Sequence, residues 1–470
     1  MILAVYLMGI DGPLSNYDEP IYAEFIRAMH ESSDVFSLRY QGAETLQRPP
    51  LSVALYAGFA ASSDSEWGLR LGPALLSALV ALLAGGFAAR TTGSKWTAVI
   101  AAALTAGAPT FFLYGRLLLS DPPFVLACLG ALIATMQAQT LPRAMRWIAI
   151  FLGLGFLLKS MAGAVPLLVL APWWLRAAKK HHKAGQASAR RIALDAAIFL
   201  ALASAYYIFG LLLYGETFWD QHIGAMLLDR ASGDLGPFIG IGGPDAYLRH
   251  MATHDGPLYG ALALLSVGGA SVVAWRERNA AVGVLATYAI GSLLILSLIS
   301  TRLPHYLLAI YPAIGLSAAI SAHRIAQVAR EQAQMATVLA CVVAIAVFGQ
   351  GIAKTPTDAA TLPDPASKTL GLAAAKVPGN TRVYSLDWYT PAFGYYADRP
   401  WTMLHSNPDV AAGLASMDPF AQAKNVQAVP PWPTAPFVVA AHESSLISAR
   451  LTVVEVLADV EGYVLVLATP

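Results

Sequence analysis

Apolar runs, most of them long enough to cross a hydrocarbon core about 30 Å thick, recur along the chain at 67–89, 96–114, 122–139, 146–161, 163–176, 192–213, 257–275, 280–300, 304–322 and 335–352. The run at 163–176 is short, and the 146–176 region can be divided differently. Ahead of these, Met1 to Ile10 is apolar, but ten helical residues reach only about 15 Å. It lacks the basic stretch and small-residue cleavage site of a signal peptide. Either this span continues through Asp11-Gly12-Pro13 or the true start lies upstream. With it, the pattern predicts about eleven spans.

Two stretches between Ile10 and the first long run have a different pattern. Pro20–Ser32 places Ile21, Phe25, Ala28 and Met29 on one helical face, with Glu24, Arg27 and Glu31 elsewhere. Such a helix is too polar to cross and suits the membrane surface. Gln47-Arg48-Pro49-Pro50-Leu51 then opens a second short apolar helix to about Ala61.

From Lys354 the apolar runs shorten, and Pro, Asp, Asn and Thr appear. Arg382–Leu386, Trp401–Leu404, Phe437–Ala441 and Gly462–Ala468 read as strands. Thr390–Ala397, Pro408–Met417 and Glu443–Arg450 read as helices or turns between them. That alternation predicts a small α/β domain of about 100 residues. The expected organisation is a membrane domain over 1–353 and an α/β domain over 354–470. No internal repeat of the kind many transporters carry is visible.

Composition agrees. Of 470 residues 56% are hydrophobic and 13% charged, where a soluble domain has about a quarter charged. The fold class is therefore a polytopic α-helical membrane protein with amphipathic juxtamembrane helices and a C-terminal α/β domain. A formal charge of +1, with no basic patch interleaved with aromatics, gives no sign of nucleic-acid binding. Cys128 and Cys341 lie inside apolar runs and form neither a metal pattern nor a disulfide framework.

Charge in the loops sets the orientation. Arg176, Lys179, Lys180, Lys183, Arg190 and Arg191 cluster without an acid among them, which marks a cytoplasmic loop. Arg90/Lys95, Arg143/Arg146, Arg276/Arg278 and Arg324/Arg330 fall on the same side by counting spans. Asp18-Glu19, Arg48, Asp64/Glu66, Arg116 to Asp121, the 214–256 loop, Arg302 and everything after 353 then face the extracytoplasmic side of the cell's inner membrane.

The candidate chemistry sits on that side. Two adjacent carboxylates, Asp18 and Glu19, near lipid need a reason. They suit a helix N-terminus or a solvated loop. Equally, they suit a base that takes a proton from an acceptor while a phosphate leaves. Arg48 precedes two prolines that stiffen its approach, though a boundary cation can also simply snorkel. Arg116, Asp121, Lys159 and Arg302 each stand at the outer end of a span. Singly they are interfacial anchors or halves of ion pairs. Together they offer several cations to a lipid-linked phosphate or pyrophosphate, which Arg can bind bidentately. Asp121-Pro122-Pro123 also has the form of a helix cap followed by Pro at the first turn.

The long 214–256 loop carries Trp219, His222, Asp229, Arg230, Asp234, His250, His254 and Asp255, and loops of that length often act as lids. His222 and the His254-Asp255 pair are candidate metal ligands, though no tight ligand spacing such as H-x-x-x-H is expected in this loop. Trp388, Tyr389, Tyr395, Tyr396 and Trp401 either stack on a sugar or fill the core of the C-terminal domain.

Five motifs occur in order: Tyr17-Asp18-Glu19-Pro20-x-Tyr22-Ala23-Glu24, Gln47-Arg48-Pro49-Pro50-Leu51, Gly115-Arg116…Ser120-Asp121-x-Pro123, Gly155-Phe156-Leu157-Leu158-Lys159, and Leu303-Pro304-His305-Tyr306-Leu307-Leu308 with Tyr311-Pro312. Over about residues 15–320 this set resembles the polytopic GT-C type glycosyltransferases that include the lipid A aminoarabinose transferase and the protein O-mannosyltransferases. The resemblance implies a hexosyl- or pentosyltransferase that moves a sugar from a polyprenyl-phosphate donor to a lipid, glycan or protein acceptor. Direct displacement would invert the anomeric centre. Asp18 matches the catalytic acid of the family's Asp-Glu motif, which Glu19 completes. Arg48 matches a donor-phosphate Lys; Lys159 and Tyr306 match positions at the lipid-phosphate cavity, joined in this reading by Arg116 and Arg302. Tyr22 and Asp121 line the cavity, and His222, in Asp220-Gln221-His222-Ile223, resembles a histidine that helps hold a metal. A divalent metal is thus the one cofactor implied.

Two departures matter. Gln47 stands where the family has an acidic metal ligand, and Ile21 where an Arg commonly follows Asp-Glu-Pro. Aminoarabinose and lipid A are therefore not implied for this chain. A transporter or flippase of lipid-linked sugars is the rival reading, and a structural or assembly subunit is a third that leaves Asp18-Glu19 unexplained.

Overall fold

The computed structural model describes every residue except 16–17, 62–64, 230–241, 300, 330–332, 360–364, 389, 417–423, 430–431, 433–435 and 470; the side chains of 225–227, 229, 333, 336 and 354–359 also lie outside it. The readings placed on Tyr17, Asp64, Asp229, Arg230, Asp234, Arg330, Tyr389 and Met417 fall there.

The apolar runs fold as helices. Among the described residues seven helical stretches are long and apolar enough to cross a membrane: Glu66–Thr92, Asp121–Ala138, Pro142–Lys183, Ala189–Tyr214, Pro257–Arg276, Ala280–Leu298 and Pro304–Ala329. Leu51–Ala60, Trp96–Ala106 and Thr337–Ala353 are shorter apolar helices. Four features separate these seven stretches from the expected count of about eleven; one is that the run at 335–352 is represented among the described residues only by the shorter helix Thr337–Ala353. The N-terminal run forms only a short helix, Ile2–Tyr6. The run at 96–114 breaks at Gly107-Ala108-Pro109 into Trp96–Ala106 and Pro109–Tyr114. There the helix Ala333–Ala359 crosses so closely that a Cβ on Gly107 would lie 2.5 Å from the Phe348 Cα, and one on Gly351 2.1 Å from the Gly107 carbonyl oxygen. Finally, the runs at 146–161 and 163–176 join into one 42-residue helical stretch. It is interrupted by a 3₁₀ turn, Ser160–Gly163.

The amphipathic segment is the helix Asp18–Ser32, and the apolar segment after Arg48 is the helix Leu51–Ala60. Between them lies a hairpin absent from the sequence reading, β1 (Leu38–Tyr40) antiparallel to β2 (Ala43–Thr45).

The C-terminal region forms a six-stranded sheet of order β5-β4-β3-β6-β8-β7. Its strands are β3 (Val383–Leu386), β4 (Trp401–His405), β5 (Val426–Ala428), β6 (Phe437–His442), β7 (Thr452–Val460) and β8 (Tyr463–Thr469). The first four are parallel; β8 runs antiparallel to β6, and β7, antiparallel to β8, returns to the direction of the first four. Four strands lie where the pattern places them. β5, β7 and the helix Pro365–Ala374 were not expected. β7 is an edge strand whose Val453, Val454, Val456 and Leu457 are all exposed, so it lacks the alternation that marks a half-buried strand.

One hydrophobic core spans the juncture between this sheet and the juxtamembrane helices. It contains Leu14, Ile21, Phe25 and Tyr56 together with Leu370, Phe393 and Trp401. Trp388, Tyr395, Tyr396 and Trp401 are all buried in it, so they fill the core. Polar ties reinforce the contact. The Leu14 N–H donates to the Tyr396 hydroxyl at 2.8 Å, and Arg27 pairs with Asp398 at 2.6 Å. Lys368 pairs with Glu66. The helix carrying Asp18 is thereby held between the membrane bundle and the sheet.

Candidate active site

Asp18 is the first residue of its helix, where a carboxylate suits the positive end of the dipole. Arg48, fixed by Pro49-Pro50, reaches it with Nη2 3.1 Å from Oδ1, and the two side chains stay 24% and 22% exposed. Tyr22 lies one helical turn beyond Asp18, and the Arg48 guanidinium sits 4.9 Å from its ring centre.

A second pair has the same logic. Asp121 opens the helix Asp121–Ala138 and Lys159 ends the helix Met145–Lys159. An acid at one helix start meets a base at a neighbouring helix end, as both dipoles favour. Lys159 Nζ lies 2.5 Å from Asp121 Oδ1. The ammonium also lies 5.0 Å from the Tyr306 ring centre and 5.9 Å from that of Phe124.

His305 joins the two pairs. Its ring packs against Tyr114 and Tyr306, and it lies within electrostatic reach of Asp121, Lys159, Asp18 and Arg48 together. His305 has no role assigned from sequence alone; its place in the Leu303-Pro304-His305-Tyr306 run is the signal that points to it.

Glu19 is different from Asp18. It is fully buried, and four donors surround it. Arg70 Nε and the Leu118 N–H donate to Oε1 at 2.7 and 2.9 Å; Arg70 Nη2 and the Ser15 N–H donate to Oε2 at 2.5 and 2.7 Å. Burial pushes its carboxyl up, but Arg70 and these bonds prevail and hold it below the usual carboxylate range. Arg70 also donates to the carbonyl oxygens of Ile10, Gly12 and Pro13. The geometry sets Glu19 apart from Asp18, with which the sequence groups it as catalytic. Glu19 fastens the N-terminal loop to its neighbours, and the buried Arg70 that neutralises it was not anticipated.

Arg116 is turned away from the two pairs. It donates to the Met8 carbonyl oxygen at 2.6 Å and covers the Phe112 ring at 4.1 Å. Burial pushes its guanidinium down to about 10. Arg302 donates to the carbonyl oxygens of Ser297 and Gly242 at 3.1 and 2.9 Å. It stands one residue removed from the site, since Tyr247 lies within reach of both Arg302 and Tyr306.

His222 is buried behind Arg48. Its Nδ1 lies 2.9 Å from the Gln47 carbonyl oxygen and its Nε2 2.7 Å from Ser160 Oγ. Ser160 Oγ lies 2.7 Å from the Tyr207 hydroxyl. The Phe218 ring stacks on the imidazole at 5.0 Å. Burial pushes the imidazole down to about 4, against its bond to Gln47.

A separate cluster joins His250, His254 and Asp255, whose potential ligand atoms all lie within 4.8 Å of one another. His250 and His254, one helical turn apart, have H-x-x-x-H spacing, against the expectation of no tight ligand spacing in this loop. Their rings stack in parallel at 4.6 Å. Asp255 is already held by the Thr110 N–H and hydroxyl at 2.8 and 2.6 Å and by the Tyr311 hydroxyl.

Comparison with known proteins bears on this arrangement. The model of the dolichyl-phosphate-mannose-protein mannosyltransferase family matches residues 15–223. The crystal structure of ArnT from Cupriavidus metallidurans bound to undecaprenyl phosphate aligns with a TM-score of 0.74 at 18% identity, over 99% of this chain and 96% of that one. The apo form aligns with a TM-score of 0.74 at 17% identity over the same shares. The chain has the fold of the GT-C glycosyltransferases. The Archaeoglobus fulgidus oligosaccharyltransferase, in complex with zinc and sulfate, aligns with a TM-score of 0.56 at 14% identity, over 94% of this chain and 68% of that one. No protein of curated function matches the sequence.

The GT-C likeness carries with it the question of a metal at Gln47 and His222. Gln47 offers a neutral amide, and both ring nitrogens of His222 are engaged by protein groups. A tightly held divalent ion needs anionic or free imidazole donors. These residues do not fit one.

Proposed function

We propose that this integral membrane protein transfers a sugar from a polyprenyl-phosphate donor to a lipid, glycan or protein acceptor, at the extracytoplasmic face of the inner membrane. The observation that carries the reading is the convergence of two carboxylate–cation pairs around His305. Asp18–Arg48 is part-exposed, and Asp121–Lys159 lies beside it, while the neighbouring Glu19–Arg70 pair is sealed.

Arg48 and Lys159 are the phosphate-binding cations. Arg48 holds Asp18 through a single 3.1 Å contact, which a phosphate can outcompete by offering two oxygens to the same fork. Asp18 then loses its cation, which frees its oxygens for the acceptor. It takes the acceptor proton as the acceptor oxygen or nitrogen bonds to the anomeric carbon. The anomeric C–O bond breaks, its electron pair leaves on the phosphate oxygen, and Arg48 and Lys159 stabilise that charge. Attack opposite the leaving phosphate inverts the anomeric centre. Tyr22 and Tyr306 provide aromatic walls beside the two cations. No step runs through a metal.

The test is transfer by the purified full-length chain, in lipid nanodiscs, from a radiolabelled polyprenyl-phosphate sugar. Glycosylated acceptor and free polyprenyl phosphate should appear together. Movement of intact donor between leaflets without cleavage would instead support a flippase.

A further inference from the structure

We propose that His222 is a positioning residue that latches the Arg48 segment from behind, taking the place a metal ligand would have. The inference deepens the reading of Arg48 as a donor-phosphate residue and rests on it.

Counting donors and acceptors fixes every proton in the chain of contacts. A backbone carbonyl can only accept, so the 2.9 Å contact to Gln47 requires a proton on His222 Nδ1. The buried ring is neutral, so Nε2 carries a lone pair and accepts from the Ser160 hydroxyl at 2.7 Å. Ser160 Oγ, its own proton given to His222, accepts from the Tyr207 hydroxyl at 2.7 Å. No lone pair on His222 is left for a cation.

The other end of the latch grips the chain on both sides of Arg48. The Tyr206 hydroxyl contacts the carbonyl oxygens of Leu46 and Arg48, and His222 takes the carbonyl between them. Three consecutive carbonyls, at Leu46, Gln47 and Arg48, are thus held by two side chains that pack edge to face at 4.9 Å. The Gln221 side chain accepts from the Leu46 N–H at 3.0 Å. With Pro49-Pro50 following, Arg48 has little backbone freedom left.

Ser160 extends the same device to the second cation. It adopts φ 50 and ψ −133, a conformation that favours glycine, directly after Lys159. Strained backbone of this kind persists where surrounding contacts over-determine it. Here those contacts are Tyr207 and His222, so one hydrogen-bonded chain runs from the residue after Lys159 to the residue before Arg48.

The test uses the full-length protein in nanodiscs. It measures undecaprenyl-phosphate binding by competition, steady-state kinetics for the donor, and bound metal by elemental analysis. H222A and Y206F should each raise the donor KM by about tenfold, the usual consequence of one lost hydrogen bond, with a smaller change in kcat. H222N, whose amide can donate to Gln47 as Nδ1 does, should recover most of that loss. Wild-type turnover should survive EDTA. One equivalent of metal that departs in both H222A and H222N, with turnover lost to EDTA, overturns the latch. Wild-type donor affinity in both H222A and Y206F also overturns it. If H222A does not fold, Y206F carries the test, since it removes only a hydroxyl. R48Q separates the two levels: lost binding in R48Q with intact binding in every latch variant that folds refutes the latch alone, while intact binding in R48Q refutes the donor-phosphate reading itself.

Discussion

The sharpest separation of structure from chemistry concerns Glu19, the neighbour of the proposed base. In Glu19→Gln one carboxylate oxygen becomes an NH₂ group. Each oxygen now faces two donors, Arg70 Nε with the Leu118 N–H or Arg70 Nη2 with the Ser15 N–H. Whichever way the amide turns, it sets a donor against two donors. It also leaves the Arg70 charge, 6% exposed, without its counter-ion. Breaking a buried pair from one side costs about 3–5 kcal/mol, a large share of a marginal stability of about 5–15 kcal/mol. Glu19→Gln should therefore lower the apparent melting temperature of the purified protein by many degrees. Residual transfer should track the folded fraction. The same pair sets an acid limit. Glu19 titrates below the usual carboxylate range in the folded protein. Its contribution is thus fully present above the unfolded value of about 4.3 and is lost as pH falls through the lower folded value. A Glu19→Gln protein that melts like wild type and has lost transfer would refute this account and return Glu19 to the chemistry.

Asp18→Asn should do the reverse. The part-exposed Asp18–Arg48 pair should contribute far less than the sealed one, on the order of 1 kcal/mol, so melting should move little while transfer falls to background and donor binding is kept or tightened; near wild-type turnover removes Asp18 as base. Lys159→Gln should weaken undecaprenyl-phosphate binding, whereas Arg116→Gln, which contacts Met8 and Phe112, should leave it within about twofold, on the order of 0.4 kcal/mol; equal losses in a competition assay contradict the assignment. Burial raises the Asp255 carboxyl despite its bonds to Thr110 and Tyr311. A neutral amide suits that site better than an unpaired anion, so Asp255→Asn should cost less than about 1.5 kcal/mol in thermal unfolding, and a collapse of stability restored by zinc would show a metal there.

Much of the fold was legible because lipid imposes long apolar runs, and because strand and helix periods differ. The spans, the amphipathic helix at Asp18 and four of the sheet strands follow from that pattern. The breaks inside spans did not follow. Gly107 and Gly351 allow a close helix crossing, and nothing local announces which distant helix will use the space. The turn at Ser160 is hidden for a related reason, since a serine there gives no hint of positive φ. In the site, Asp18, Arg48, Asp121, Lys159 and Tyr306 could be proposed from type and position. What separates Asp18 from Glu19 is Arg70, fifty-one positions away, and only the fold brings it there. The H-x-x-x-H spacing of His250 and His254 was visible in the sequence itself, and it needed only to be counted.

The contrast among the ion pairs explains why charged groups are tolerated where no donor is bound. A lone cation at a membrane boundary is costly, and a lone carboxylate more so when apolar walls surround it. Pairing Arg48 with Asp18 and Lys159 with Asp121 gives each of the four charges a partner within the protein itself. A phosphate that enters takes over the cations, so no cation is ever left bare; the only group released is a carboxylate, and for Asp18 that release is what catalysis requires. Asp121, 5% exposed by its side chain, is too enclosed to be released in the same way. Lys159 should therefore keep its contact with Asp121 and share its ammonium with the phosphate, whereas Arg48 should switch partners completely. Substitution of Asp121 by Asn should on this argument tighten phosphate binding by removing a competing anion, and substitution of Asp18 by Asn should do the same while also ending transfer. If neither substitution raises affinity for undecaprenyl phosphate in the competition assay, the exchange of partners is not how the site works.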